Sequence, residues 1–140
     1  MTNSIKNTLG IEAVGAPYPD FKSLRDEVTN RTITTGFRTG WQADYPSLGN
    51  FLTALYGTGA GSNDGDYSNP EFDAKMKEAA GASSTDESNK LYNDGQAILF
   101  QDLPAIPLWY ANVTGGYSEK VSDVVFNWKS QPIFYNITKS

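Results

Sequence analysis

The chain has 140 residues, the size of one ordinary domain or less. It holds no Cys and no His, which excludes disulfides, thiolate zinc sites, His general bases and the Ser-His-Asp triad. Lys plus Arg is 11 and Asp plus Glu is 16, and the resulting net charge of −5 argues against a nucleic-acid binder and against a polybasic membrane anchor.

The first residues, Met1 to Lys6, lack the apolar core of a secretory signal. Leu9 to Val14 is short, apolar and strand-like, and Gly15-Ala16-Pro17 breaks it. Pro19-Asp20 then opens a helix whose apolar face is Phe21, Leu24 and Val28. Thr32 to Arg38 reads as a strand. Strand, helix, strand at this spacing predicts a βαβ crossover with parallel pairing. Pro46 pushes Tyr45 out of the helical region, after which Phe51, Leu52, Leu55 and Tyr56 form a short helical stripe. Gly57 to Ser68 is a Gly-rich surface loop.

Asn69 is an N-cap, Pro70 stands at the first helical position, and Phe72, Met76, Ala79 and Ala80 supply a buried face that Gly81 ends. Ser84-Thr85-Asp86-Glu87 is a capping box for a second helix, with Leu91, Ile98 and Leu99 as its stripe. Gly95 in mid-helix implies a close neighbour. Pro104 stops that helix, and 105–111 reads as an apolar strand in which Pro107 marks an edge or a bulge. Two short β-like runs follow, separated by Lys129-Ser130-Gln131-Pro132. The expectation is an α/β chain with helices near 20–29, 70–80 and 85–102 and strands near 9–14, 32–38 and 105–111.

The densest candidate for chemistry is Phe37-Arg38-Thr39-Gly40-Trp41-Gln42-Ala43-Asp44-Tyr45-Pro46. Two aromatics and an isolated carboxylate after a strand suit a cation, with Asp44 as counter-ion and Trp41 or Tyr45 as a face. A structural reading competes with this one: Asp44 caps the turn before the next helix and Trp41 anchors the core. Asn63-Asp64-Gly65-Asp66 fails the spacing of a calcium loop and reads as a solvated turn. A glycosidase-like pair would need Asp44, Asp64 or Asp66 to converge on one cleft.

Arg38-Thr39-Gly40-Trp41-Gln42-Ala43-Asp44-Tyr45-Pro46, then Phe51-Leu52, a Gly/Asn-rich loop, Tyr67-Ser68-Asn69-Pro70-Glu71-Phe72-Asp73, Leu91-Tyr92 and Asp102-Leu103-Pro104-Ala105-Ile106-Pro107-Leu108 follow one another in this order. The series resembles the C-terminal part of the family 5 extracellular solute-binding proteins, the oligopeptide- and dipeptide-binding components of ABC importers. The resemblance runs from about Leu9 to Tyr117 and more weakly to the end. It implies the C-terminal part of a periplasmic-binding-protein-like (type II) lobe, a mixed sheet with flanking helices. Residues 1–112 would be the C-terminal half of the second ligand-binding lobe, and 113–140 a β-rich tail returning towards a first lobe absent from this chain. A fragment of such a protein would start without a signal.

The resemblance further implies that Asp44 pairs with a peptide's α-ammonium, that Trp41 lines the same pocket and that Arg38 lies near the ligand, with Tyr45 beside them. It implies capture of peptides outside the cell and delivery to membrane permease subunits, with no catalysis, no cofactor and no nucleic acid. The complete protein would be periplasmic or a cell-surface lipoprotein. The alternatives are a non-peptide ligand such as an oligosaccharide or metal chelate, a carboxylate-dependent hydrolase, and a structural module.

Overall fold

The computed structural model describes residues 1–112 and 114–139, in two units, Met1–Arg38 and Thr39–Ser140. The first unit holds α1 (Thr2–Leu9) and α2 (Phe21–Thr29). The Asp20 carboxylate caps α2 by accepting from the Ser23 amide at 2.7 Å, and Val28 is its one buried residue. The opening helix α1 was not foreseen. Its signal is Gly10, whose φ of 68° supplies the left-handed C-terminal stop.

In the second unit, α3 (Leu48–Tyr56), α4 (Pro70–Ala80) and α5 (Thr85–Asp102) pack on one another. Their shared core is Leu52, Phe72, Met76, Ala79 and Tyr92, with Leu91, Ile98 and Leu99 partly buried against it. Tyr56, Tyr67 and Phe72 meet edge to face, at centroid distances of 6.4 and 5.8 Å. The predicted helices near 20–29, 70–80 and 85–102 form where their caps place them. Asn69 Oδ1 accepts from the Glu71 and Phe72 amides at 2.9 and 3.2 Å. Ser84 Oγ accepts from the Glu87 amide at 3.2 Å, but the Glu87 carboxylate reaches the Ser83 amide instead of closing the box on Ser84. Ala80, expected on the buried face of α4, is exposed. Gly95 has the close neighbour its position implied: a Cβ there would run into Met76.

The expected strands do not form. Residues 11–14, 32–38 and 105–111 carry no strand, and Leu9 itself belongs to α1. The only sheet among the described residues pairs β1 (Val121–Ser122) with β2 (Thr138–Lys139), antiparallel. The mixed sheet and the parallel crossover are therefore corrected for this chain. An extended segment becomes a strand only when another segment takes its N–H and C=O groups, and side-chain pattern reports the preference for extension, not the partner. Ile106, Leu108, Trp109 and Tyr110 are left exposed.

The tail is a hairpin. Beyond the β1–β2 pair, Phe126 bridges Pro132, and Ile133 N donates to the Val125 carbonyl at 2.8 Å. A 3₁₀ turn at Phe134–Asn136 takes up the extra length of the returning arm. No helix among the described residues is long and apolar enough to cross a membrane.

Candidate ligand-binding site

Ser47 begins α3, its hydroxyl accepting from the Gly49 amide at 3.2 Å. That start places Asn50 in the first turn, where it is buried. Its side chain turns back over the loop that precedes the helix. Asn50 Oδ1 accepts from the Trp41 indole at 3.1 Å and from the Asp44 backbone amide at 2.9 Å. Both lone pairs of that oxygen are used, so the 41–44 loop is fixed at two points by one buried atom. Ser47, not Asp44, is the helix cap, and the engaged group of Asp44 is its amide. Among the described residues its carboxylate accepts no hydrogen bond, and Asp44 is exposed.

The opposite wall comes from the tail. The turn at 127–131 is braced by Asn127, whose Oδ1 accepts from the Lys129 and Gln131 amides at 2.9 and 3.0 Å. The Asn127 amide donates to the Gln131 carbonyl at 2.9 Å, and Ser130 completes the turn with φ of 61°. Gln42 Nε2 donates to the Lys129 carbonyl at 2.8 Å and joins the turn to the loop. Between them lies a shallow, open, polar concavity of about 150 Å³, lined by Gln42, Ala43, Asp44, Lys129 and Gln131. Lys129 Nζ stands 5.3 Å from the Trp128 ring centroid.

Of the residues singled out from sequence, Trp41 and Asp44 are brought together through Asn50. Tyr45 follows them and is half exposed. Arg38 is the last residue of the first unit, where it is exposed, and no strand ends at it. Sequence reasoning missed Asn50, Asn127, Lys129 and Gln131. A buried Asn on an otherwise apolar helical stripe was the available signal for Asn50. The tail residues carried none.

Asp44 is the one carboxylate lining this concavity, so the Asp44 pairing that a hydrolase would need is not assembled here. Among the described residues there is no acidic cluster suited to a metal ion. Asn63, read as part of a solvated turn, is buried and organises its loop: Nδ2 donates to the Gly57 and Tyr67 carbonyls and Oδ1 accepts from the Tyr67 amide. Nearby, Tyr67 Oη and Asn69 Nδ2 both donate to Asp102 Oδ2, at 2.6 and 2.8 Å. Burial first, and then this bond to Asp102, push the Tyr67 phenol up to about 12. The same two donors, Tyr67 before Asn69, hold Asp102 below the usual carboxylate range.

No protein-family model matches the chain. Over 132 residues it is 28% identical to the heme-binding protein A of Haemophilus influenzae, covering 93% of this chain and 24% of that protein. Over 101 residues it is 29% identical to the di/tripeptide-binding protein 3 of Pseudomonas aeruginosa, covering 71% of this chain and 19% of that protein. The periplasmic murein peptide-binding protein MppA of Escherichia coli is 32% identical over 108 residues, 76% of this chain and 20% of that protein. The unliganded open form of MppA superposes with a TM-score of 0.64 at 24% identity, over 74% of this chain and 19% of that one.

The chain is similar over most of its length to a stretch of these solute-binding proteins, as the resemblance in its sequence implied, and over 74% of its length its fold is like the matching part of MppA. It spans about a fifth to a quarter of the length of these relatives, each of which is named as a binding protein.

Proposed function

We propose that this chain is part of an extracytoplasmic solute-binding protein that captures short peptides for an ABC permease. The observation that carries the reading is the Asp44 carboxylate: exposed, free of hydrogen bonds among the described residues, and anchored through its own amide beside Trp41. A peptide's α-ammonium loses hydration when a binding protein closes on it, and needs an anion already in place. Asp44 supplies the anion and Trp41 an aromatic wall, with Tyr45 and Arg38 further ligand contacts in the closed protein.

In this reading 1–112 is the C-terminal half of the second lobe, and the tail from 113 returns towards a first lobe supplied by the rest of the protein. The exposed apolar run at 105–111 would then find its strand partners there. Ligand bridging two lobes stabilises the closed state, which the permease recognises. The mechanism is capture and release, with no bond made or broken.

The test uses the complete protein and isothermal titration with free and N-acetylated dipeptides. Asp44→Asn should cost about 2–4 kcal/mol of affinity for free dipeptide. Acetylation should weaken wild-type binding and add little to the loss in the variant. Equal binding of acetylated and free dipeptide by the wild type would refute the assignment of Asp44.

A further inference from the structure

The tripeptide Asn-Asp-Gly occurs twice in the chain, at Asn63-Asp64-Gly65 and at Asn93-Asp94-Gly95. The fold gives the two copies opposite settings. Asp64 and Gly65 are the central residues of a turn between α3 and α4, closed by the Asp66 amide on the Asn63 carbonyl at 3.3 Å, and Gly65 is exposed. The Asp64 amide donates to the Ser62 carbonyl at 3.0 Å, whereas the Gly65 amide donates to no backbone carbonyl among the described residues. An added Cβ at Gly65 would meet no described atom within 4 Å. Asp94 and Gly95 lie inside α5, where the Gly95 amide belongs to the helical ladder. Gly95 is buried, with Met76 and Phe72 against it.

We propose that Asp64-Gly65 is a site of spontaneous covalent modification, the isomerisation of aspartate to isoaspartate, and that α5 holds Asp94-Gly95 inert. The Gly65 nitrogen attacks the Asp64 side-chain carboxyl carbon. A C–N bond forms, the C–OH bond breaks, and the hydroxyl leaves with the amide proton as water. The product is a cyclic imide. Water then adds back to one of its two carbonyls and breaks one C–N bond. Opening at the side-chain carbonyl restores Asp64. Opening at the main-chain carbonyl routes the backbone through the side chain of residue 64 and frees an α-carboxylate. Water is the sole co-reactant, and nothing is oxidised or reduced. Ring closure needs an amide that is not held in a ladder and a backbone free to rotate, which the exposed turn offers and the helix interior denies. The isomerised backbone is one methylene longer between Asn63 and Tyr67. Those two residues are bonded to each other twice, through Asn63 Nδ2 at 2.8 Å and Asn63 Oδ1 at 3.0 Å, so the modification loosens the loop that Asn63 organises.

The experiment incubates the 140-residue chain at mildly acidic pH in oxygen-18 water, beside a sample unfolded in guanidinium chloride. Each imide hydrolysis leaves one oxygen-18 atom in its peptide whichever way the ring opens, so digestion and mass spectrometry read the two sites separately. Unfolded, the two copies should label at similar rates. Folded, label at 64 should exceed label at 94 by about tenfold or more, because reaction at 94 waits for α5 to open. Gly65→Ala crowds the attacking nitrogen with a methyl group that the fold leaves room for. It should slow labelling at 64 severalfold without lowering the denaturation midpoint. Equal labelling of the two sites in the folded chain, no labelling at 64, or unslowed labelling in Gly65→Ala would each overturn the proposal. The isomerised chain, separated by ion exchange, should unfold at lower denaturant than its parent. An unchanged midpoint would overturn the loosening of the Asn63 loop.

Discussion

The indole N–H of Trp41 donates to the side-chain oxygen of Asn50 at 3.1 Å, and the same oxygen takes the amide of Asp44 at 2.9 Å. One buried amide thus sets both the aromatic wall and the carboxylate of the candidate site. Asn50→Ala removes the acceptor and strands two donors, which should destabilise the fold by about 2 kcal/mol. Asn50→Asp keeps an acceptor and should preserve both bonds. With Trp109 and Trp128 replaced by Phe, Trp41 emission should shift to the red in Asn50→Ala and not in Asn50→Asp. A variant with unchanged denaturation midpoint and emission would show that Asn50 does not hold the loop.

Gly49 sits in α3 directly beneath the Tyr92 ring, and a methyl group there would overlap the tyrosine hydroxyl and come within 2.8 Å of its Cζ. Ala favours a helix interior over Gly by about 1 kcal/mol, but overpacking against a buried ring costs about 1–3 kcal/mol. Gly49→Ala should therefore lose stability in urea titration. Adding Tyr92→Phe removes the nearest atom and should recover part of the loss. A Gly49→Ala protein more stable than the wild type would mean that α3 and α5 do not approach as described.

Tyr67 and Asp102 give the fold a signature at each end of the pH scale. The Tyr67 pKa is raised to about 12 in the folded chain against about 10 for a free phenol. A raised pKa favours the protonated form, so this contribution is full below about pH 10 and fades as pH climbs towards 12. Asp102 is shifted the other way: its contribution is present above the ordinary carboxylate range and is lost as pH falls through its lowered pKa. Unfolding free energy measured from pH 8 to 12 should fall more steeply for the wild type than for Tyr67→Phe. Parallel curves would rule out the Tyr67–Asp102 bond as a source of stability.

Much of the helical layer was legible because its signals are local. Asn69 and Ser84 satisfy amides within three residues, Pro70 brings no N–H that needs a partner, and the stripes Phe72–Met76–Ala79 and Leu91–Ile98–Leu99 repeat at helical spacing. Gly95 announced a tight contact because an unforced helix would have used Ala. Asp44 and Trp41 stood out because a lone carboxylate among aromatics is chemically conspicuous.

The sequence alone determined that α2, α4 and α5 coil and where they start, and the family to which the Gly40-Trp41 and Asp44-Tyr45 segments point. Tertiary structure decided the rest. Runs at 32–38 and 105–111 prefer extension, but a ladder needs a second segment, and the described residues provide none. Asn50 and Asp44 are six residues apart, yet their bond depends on how the loop folds back over the helix. Gln42 and Lys129 are separated by 87 residues and meet through a single hydrogen bond. Such contacts depend on the packing of the whole unit, because a long-range bond forms only after the intervening chain has been ordered.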